Sequence, residues 1–197
     1  MEISFHYARD RQYYAIRFGA GPFETVPFLS ELRFWGVDRF PCPRLSTVAA
    51  LIALGDHPMT SATLPNAELN VPLCAAISEH FGIELHPSKY NAERRDLAGG
   101  DLVVAPTRFT APRDPRTFVD GGEVLTWISL DDIGGPLGGL VRTNLDAFQM
   151  DEMTKNLVVA LCCAGKEVGH IVLDGAPPKL AQLMHWLGLE LVTPSEV

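Results

Sequence analysis

Leu45-Ser46-Thr47-Val48-Ala49-Ala50-Leu51-Ile52-Ala53-Leu54-Gly55 is the stretch on which the fold class turns. Ser46 and Thr47 are helix-capping residue types, the run to Leu54 is unbroken by proline or glycine, and Gly55 is a helix stop. A short strand over 58–64, a turn at Pro65-Asn66, a helix over about 69–81 stopped by Gly82, and a strand over 83–86 follow. Helix–strand–helix–strand with short connections is the building block of a layered α/β domain. The chain closes on the same order between 151 and 194. Asp151 caps a helix over 152–164 ended by Gly165, and a strand over 169–173 leads to a turn at Asp174-Gly175. A helix over 178–187 and a strand over 189–192 then finish it.

The two blocks can be read in step. Pro72, Ala75, Gly82, Glu84 and Leu85 recur as Pro178, Ala181, Gly188, Glu190 and Leu191. An ancient duplication and two independent crossovers obeying the same packing rules both account for this. Either way the pattern predicts an α/β fold, a mainly parallel sheet flanked by helices in three layers.

Outward from these blocks, 2–8 and 12–18 are rich in aromatic and β-branched residues with Arg9-Asp10-Arg11 between them, which predicts an N-terminal antiparallel β-hairpin. Gly19 and Gly21-Pro22 break the second strand. Phe28, Leu29, Leu32 and Trp35 share one side of a predicted short helix over 24–35. Strands are predicted over 101–105, 123–130 and 140–144, separated by a proline- and arginine-rich flap over 106–122 and a glycine-rich turn over 131–139. At 197 residues the reading is a single α/β domain, with a subdivision into a hairpin extension over 1–40 and a core over 41–197.

Composition narrows the function classes. The hydrophobic fraction is 47% and the charged fraction 20%, ordinary values for a chain that buries a core. A net charge of −8 with only 16 lysines and arginines, none in a run, makes nucleic acid an unfavourable partner. Met1-Glu2-Ile3-Ser4 lacks the layout of a secretory signal, and no apolar run reaches the roughly 18 residues of a membrane span. Cys42, Cys74, Cys162 and Cys163 form no CxxC pair, so free thiols in a reducing cytoplasm are expected and no metal site is.

Leu45-Ser46-Thr47-Val48-Ala49-Ala50-Leu51, then Met59-Thr60-Ser61-Ala62-Thr63-Leu64-Pro65-Asn66, then Ala75-Ala76-Ile77-Ser78-Glu79-His80-Phe81-Gly82-Ile83-Glu84-Leu85 resembles part of the PP-loop ATP pyrophosphatases, of the adenine nucleotide alpha hydrolase-like fold. The resemblance covers about residues 41–86. It implies a nucleotide pocket in which backbone N–H groups at a helix start hold pyrophosphate. The family's Ser-Gly-Gly-x-Asp-Ser loop is absent. Pro41-Cys42-Pro43-Arg44-Leu45 stands in its place and only Ser46 corresponds, so the resemblance implies a related fold and not ATP cleavage.

In parallel sheets ligands gather beyond the carboxyl ends of the strands, where loops and helix N-termini converge. That rule selects Asn66, Gly134, Gly135, Arg142 and Asp174 as ligand-binding candidates. Asp131 and Asp132, a carboxylate pair, and His57, beside Asp56, are the candidates for acid–base work. The leading expectation is a small-molecule enzyme or ligand-binding domain acting on an anionic or nucleotide-like ligand. No cofactor is indicated. The alternative is a non-catalytic interaction or assembly protein, a homo-oligomer on a degenerate nucleotide-binding scaffold. Its surface would come from the three tryptophans, the aromatic hairpin and the flap.

Overall fold

The computed structural model describes residues 1–21, 27, 29–37, 41–55, 57–91, 102–108, 123–129, 140–163 and 168–194. The hairpin forms as its composition dictates. β1 (Glu2–Ala8) pairs antiparallel with β2 (Tyr13–Gly19) from Glu2↔Gly19 to Ala8↔Tyr13, across a 3-10 turn at Arg9–Arg11 that Gln12 closes at φ 47°. Residues Glu31–Trp35 are a strand, β3, and not the end of the predicted helix. Leu32 and Phe34 are buried while Glu31, Arg33 and Trp35 take the other face. This two-residue period prevails because β2 has a free edge, which β3 fills from Tyr13↔Trp35 to Arg17↔Glu31.

The opening block follows. α1 (Pro43–Leu54) starts on Pro43, whose missing N–H costs nothing in a first turn, and stops at Gly55. β4 (Ser61–Asn70) runs straight through the predicted Pro65-Asn66 turn, with its register against the next strand shifted between Leu64 and Glu68. Asn70 caps α2 (Val71–Phe81), its Oδ1 accepting from the Leu73 N–H at 2.8 Å, and Gly82 ends the helix at φ 67°. β5 (Glu84–Asn91) completes the block.

The second half contains β6 (Leu102–Arg108), β7 (Glu123–Ser129), β8 (Val141–Thr143), α3 (Glu152–Cys163), β9 (Val168–Val172), α4 (Pro178–Trp186) and β10 (Glu190–Val192). The segments that matched in sequence become α2–β5 and α4–β10, and Gly82 and Gly188 both take left-handed backbone, at φ 67° and 73°. The correspondence reaches much further. Each half reads strand, strand, strand, helix, strand, helix, strand.

All ten strands join one sheet, ordered β10-β9-β6-β7-β8-β3-β2-β1-β4-β5. Advancing each first-half label by five gives the same order reversed, so the halves are related by an approximate two-fold axis between β3 and β8. Six of the nine strand pairings are parallel, which makes the sheet mainly parallel around an antiparallel centre of β8-β3-β2-β1.

Right-handed crossovers place all four described helices on the same face of this sheet. α1 packs on α3 and α2 on α4. A flat sheet of ten strands would hold its edges about 43 Å apart at the usual strand spacing. α2 belongs to the β4–β5 edge and α4 to the β9–β10 edge, and packed helices lie only about 8–10 Å apart. The sheet therefore curves and draws its two edges together over the helices. Burial follows from that wrapping. α1 buries nine of its twelve residues and α3 seven, so the inner pair is enclosed on nearly all sides, whereas α2 buries three and α4 two. Opposite the helices, Ser4, His6, Tyr13, Arg17, Glu31, Arg33 and Trp35 sit on the face of β1–β3 that carries none of the described helices, hereafter the helix-free face. A helical layer on that face, which a three-layer arrangement requires, is not found among the described residues.

Candidate functional site

The parallel strands β6, β7 and β8 end side by side, next to the first turns of α3. Along β6 and β7 the side chains alternate between faces, which turns Arg108, Trp127 and Ser129 toward the helices. Asp146 lies in a 3-10 turn, Leu145–Ala147, that leads from β8 toward α3. Asp151 precedes α3, and its Oδ1 accepts from the Thr154 N–H at 2.7 Å. That bond holds the Asp151 carboxyl below its ordinary value and fixes the start of the helix. Glu152, Lys155 and Asn156 then project from its first turns.

These groups form one network. Asp146 accepts from Arg108 Nη2 at 2.5 Å through Oδ2 and from Lys155 Nζ at 2.6 Å through Oδ1. Arg108 Nη1 reaches Glu152 Oε2 at 3.5 Å, and the guanidinium lies 5.2 Å from the centre of the Trp127 ring. Trp127, fully buried, donates its indole N–H to Asn156 Oδ1 at 2.7 Å. Burial pushes the Asp146 carboxyl up, but hydrogen bonds from Lys155 and Ser129 and the charge of Arg108 outweigh it and hold the group below its ordinary value. Asp146 is therefore a fixed carboxylate near neutral pH and not a proton donor. Lys155 and Asp146 are largely enclosed, at 12% and 22% exposure, whereas Glu152 is 49% exposed and bound at the longest distance. An incoming anion would compete most readily with Glu152 for Arg108.

The sequence-selected residues are scattered across the fold. Asp131, Asp132, Gly134 and Gly135 lie outside the described residues. Asp174 is exposed in the turn after β9, the neighbour of β6, and so stands at the same end of the sheet as Arg108. Arg142 sits between the buried Val141 and Thr143, in register with Trp35 and Ile128, and so takes the helix-free face. Asn66 lies inside β4 and not at a strand end. Its Oδ1 accepts from the Phe5 N–H at 3.1 Å and its Nδ2 donates to the Phe5 carbonyl at 2.6 Å, which extends the short β1–β4 ladder. His57 is half-buried between α1 and β4, and its backbone N–H donates to the Leu54 carbonyl at 3.0 Å.

At the start of α1, Ser46 is fully buried beside the Tyr14 hydroxyl. Cys74, Cys162 and Cys163 are buried, and burial pushes the Cys162 thiol far up, which keeps it protonated and unreactive. Among the described residues no three His, Cys, Asp or Glu side chains gather as metal ligands. No helix there is long and apolar enough to cross a membrane.

Sequence reading did not select Arg108, Asp146 or Lys155. Arg108 falls in the predicted flap over 106–122, and Asp146 falls between the predicted strand over 140–144 and the predicted helix over 152–164. The available signal is the polar first turns of α3, where Glu152, Lys155 and Asn156 stand ahead of the buried run from Leu157 to Cys163. Comparison of the chain with protein-family models, curated proteins and solved structures finds no match.

Proposed function

We propose that the chain is a small-molecule enzyme or ligand-binding domain that takes an anionic ligand at the carboxyl ends of β6, β7 and β8. The observation that carries this reading is the Arg108–Asp146–Lys155 network, a pair of part-buried cations on one fixed carboxylate beside a helix start. Arg108 presents a planar fork suited to a carboxylate or phosphate, and Trp127 and Asp146 hold it in place. The ligand's anionic group takes the position of the Glu152 carboxylate on Arg108 Nη1, and the α3 N-terminus adds favourable dipole charge.

Thermal shift with inorganic phosphate, nucleotides and small carboxylates tests the reading. A stabilising anion is expected, with a weaker shift in Arg108→Lys and a larger one in Glu152→Gln, where the internal competitor is neutral. Identical shifts in the wild type and both variants would overturn it.

One observation favours the non-catalytic alternative. On the helix-free face, Glu31 gathers Arg17 at 3.0 Å, Arg33 at 2.7 Å and the Tyr13 hydroxyl at 3.2 Å beside Trp35. An arginine- and aromatic-rich patch of this kind is typical of interfaces. Light scattering decides this version, since a strict monomer at high concentration removes the assembly.

A further inference from the structure

Along the axis that relates the two halves, α2 and α4 meet and leave a cleft of about 220 Å³. Its polar lining is Glu79, His80, Lys179 and Gln182, with Leu183 buried beneath and the Trp186 indole 38% exposed at the side. With Pro72 set on Pro178, His80 and Trp186 occupy corresponding positions of the two helices, as do Ala76 and Gln182. The cleft is thus built from the same surface of both outer helices, differently furnished. Among the described residues no side-chain hydrogen bond or ion pair engages Glu79, Lys179 or Gln182.

We infer that this cleft binds a small planar carboxylate, with the carboxylate between Lys179 and His80 and the ring against the Trp186 indole. The size is the first constraint, because pockets for drug-sized ligands run to roughly 300–1,000 Å³ and this one is smaller. Charge is the second. Lys179 has no ion-pair partner among the described residues, and its field acts directly on His80, where burial first and Lys179 second lower the imidazole's proton affinity. An anion between them relieves that repulsion. Glu79 on the same lining disfavours polyphosphates and leaves a monoanion as the fitting charge. The part-exposed Trp186 indole on the lining supplies the third constraint, a ring for a planar ligand to stack on.

Benzoate titrated into the intact protein, followed by NMR of the His80 ring and the Trp186 indole N–H, tests the inference. Saturable shifts of both signals are expected, with a rise in the His80 pKa on binding. Lys179→Gln should weaken binding about tenfold, and Glu79→Gln should strengthen it, since both side chains are exposed and their loss leaves the fold intact. No saturable change at millimolar benzoate, or equal affinity in Lys179→Gln, would overturn the inference. So would shifts that follow protein concentration alone, because a second copy of the chain would then be the occupant.

Discussion

The two halves of this molecule carry the same order of elements and opposite finishes at their strand ends. In the first half β1, β2 and β3 form an antiparallel meander, and β1 and β2 are joined by one 3-10 turn. In the second half β6, β7 and β8 are parallel, so β7 alone breaks the directional match between halves. Antiparallel neighbours need only a tight turn, whereas parallel neighbours need a crossover. β1 and β2 are accordingly four residues apart in sequence, and β6 and β7 are fourteen apart. The helix starts differ in the same sense. α1 enters through Pro41-Cys42-Pro43 and buries Ser46 and Thr47, while the corresponding turn of α3 presents Lys155 and Asn156 to a charged network. One architecture thus holds a sealed end and a polar one, and the difference lies in a few residues and one strand direction.

The comparison breaks first at its seam. Gly36, at φ 82°, sits where β3 meets the second half, and a Cβ there would meet the Leu140 carbonyl oxygen. Gly36→Ala is expected to destabilise the chain by about 3–5 kcal/mol, through left-handed strain plus displacement of backbone. Urea denaturation measures it, and a change under 1 kcal/mol would mean that the seam is loose.

Next comes the polar end. Asp146→Asn removes the carboxylate that Arg108 and Lys155 share and should cost about 2–3 kcal/mol at neutral pH. Because the folded Asp146 carboxyl titrates below its ordinary value of 3.8, its contribution is full above that value and is lost as pH falls through the lowered one. The variant should lack this part of the acid-unfolding profile, and an unchanged profile would remove Asp146 from the account of the network.

Two asparagines extend ladders in parallel ways. Asn144 accepts from the Arg33 N–H at 2.8 Å and donates to the Glu31 carbonyl at 2.9 Å, across the seam, while Asn66 brackets Phe5 within the first half. Asn144→Ala should cost about 1–2 kcal/mol and Asn66→Ala about 0.5–1, since the second site is more exposed. The reverse order in thermal denaturation would place the weaker join at the seam. The smallest effect belongs to Glu31→Gln. Arg17 and Arg33 are about half exposed, so the lost pairs amount to about 0.2–0.5 kcal/mol despite the short distances, and salt should shrink the difference between variant and wild type.

Much of the fold was legible because local pattern and local structure agree. The hairpin, α1, α2, α3, α4 and most strands follow from caps, glycine stops and apolar spacing. The exceptions are instructive. Glu31–Trp35 contains apolar residues that suit either period, and the free edge of β2 settled it as a strand. Pro65-Asn66 has turn chemistry, yet the Asn66 amide supplies ladder hydrogen bonds to Phe5 and the strand continues. The site was legible in principle only. The rule about strand carboxyl ends pointed to the right kind of place, but Arg108 and Asp146 are 38 residues apart, and no local signal pairs them.

By itself the sequence determined where the helices and most strands lie and that two helix–strand blocks follow the same order, because periodicity, capping and turn chemistry act within a few residues. Only the tertiary structure decided the strand order, the direction of β7 and the curvature that brings α2 onto α4. It also decided which charged residues meet. Those outcomes depend on closing the edges of one sheet over a buried helix pair, and the free energy of that closure is shared among residues far apart in the chain.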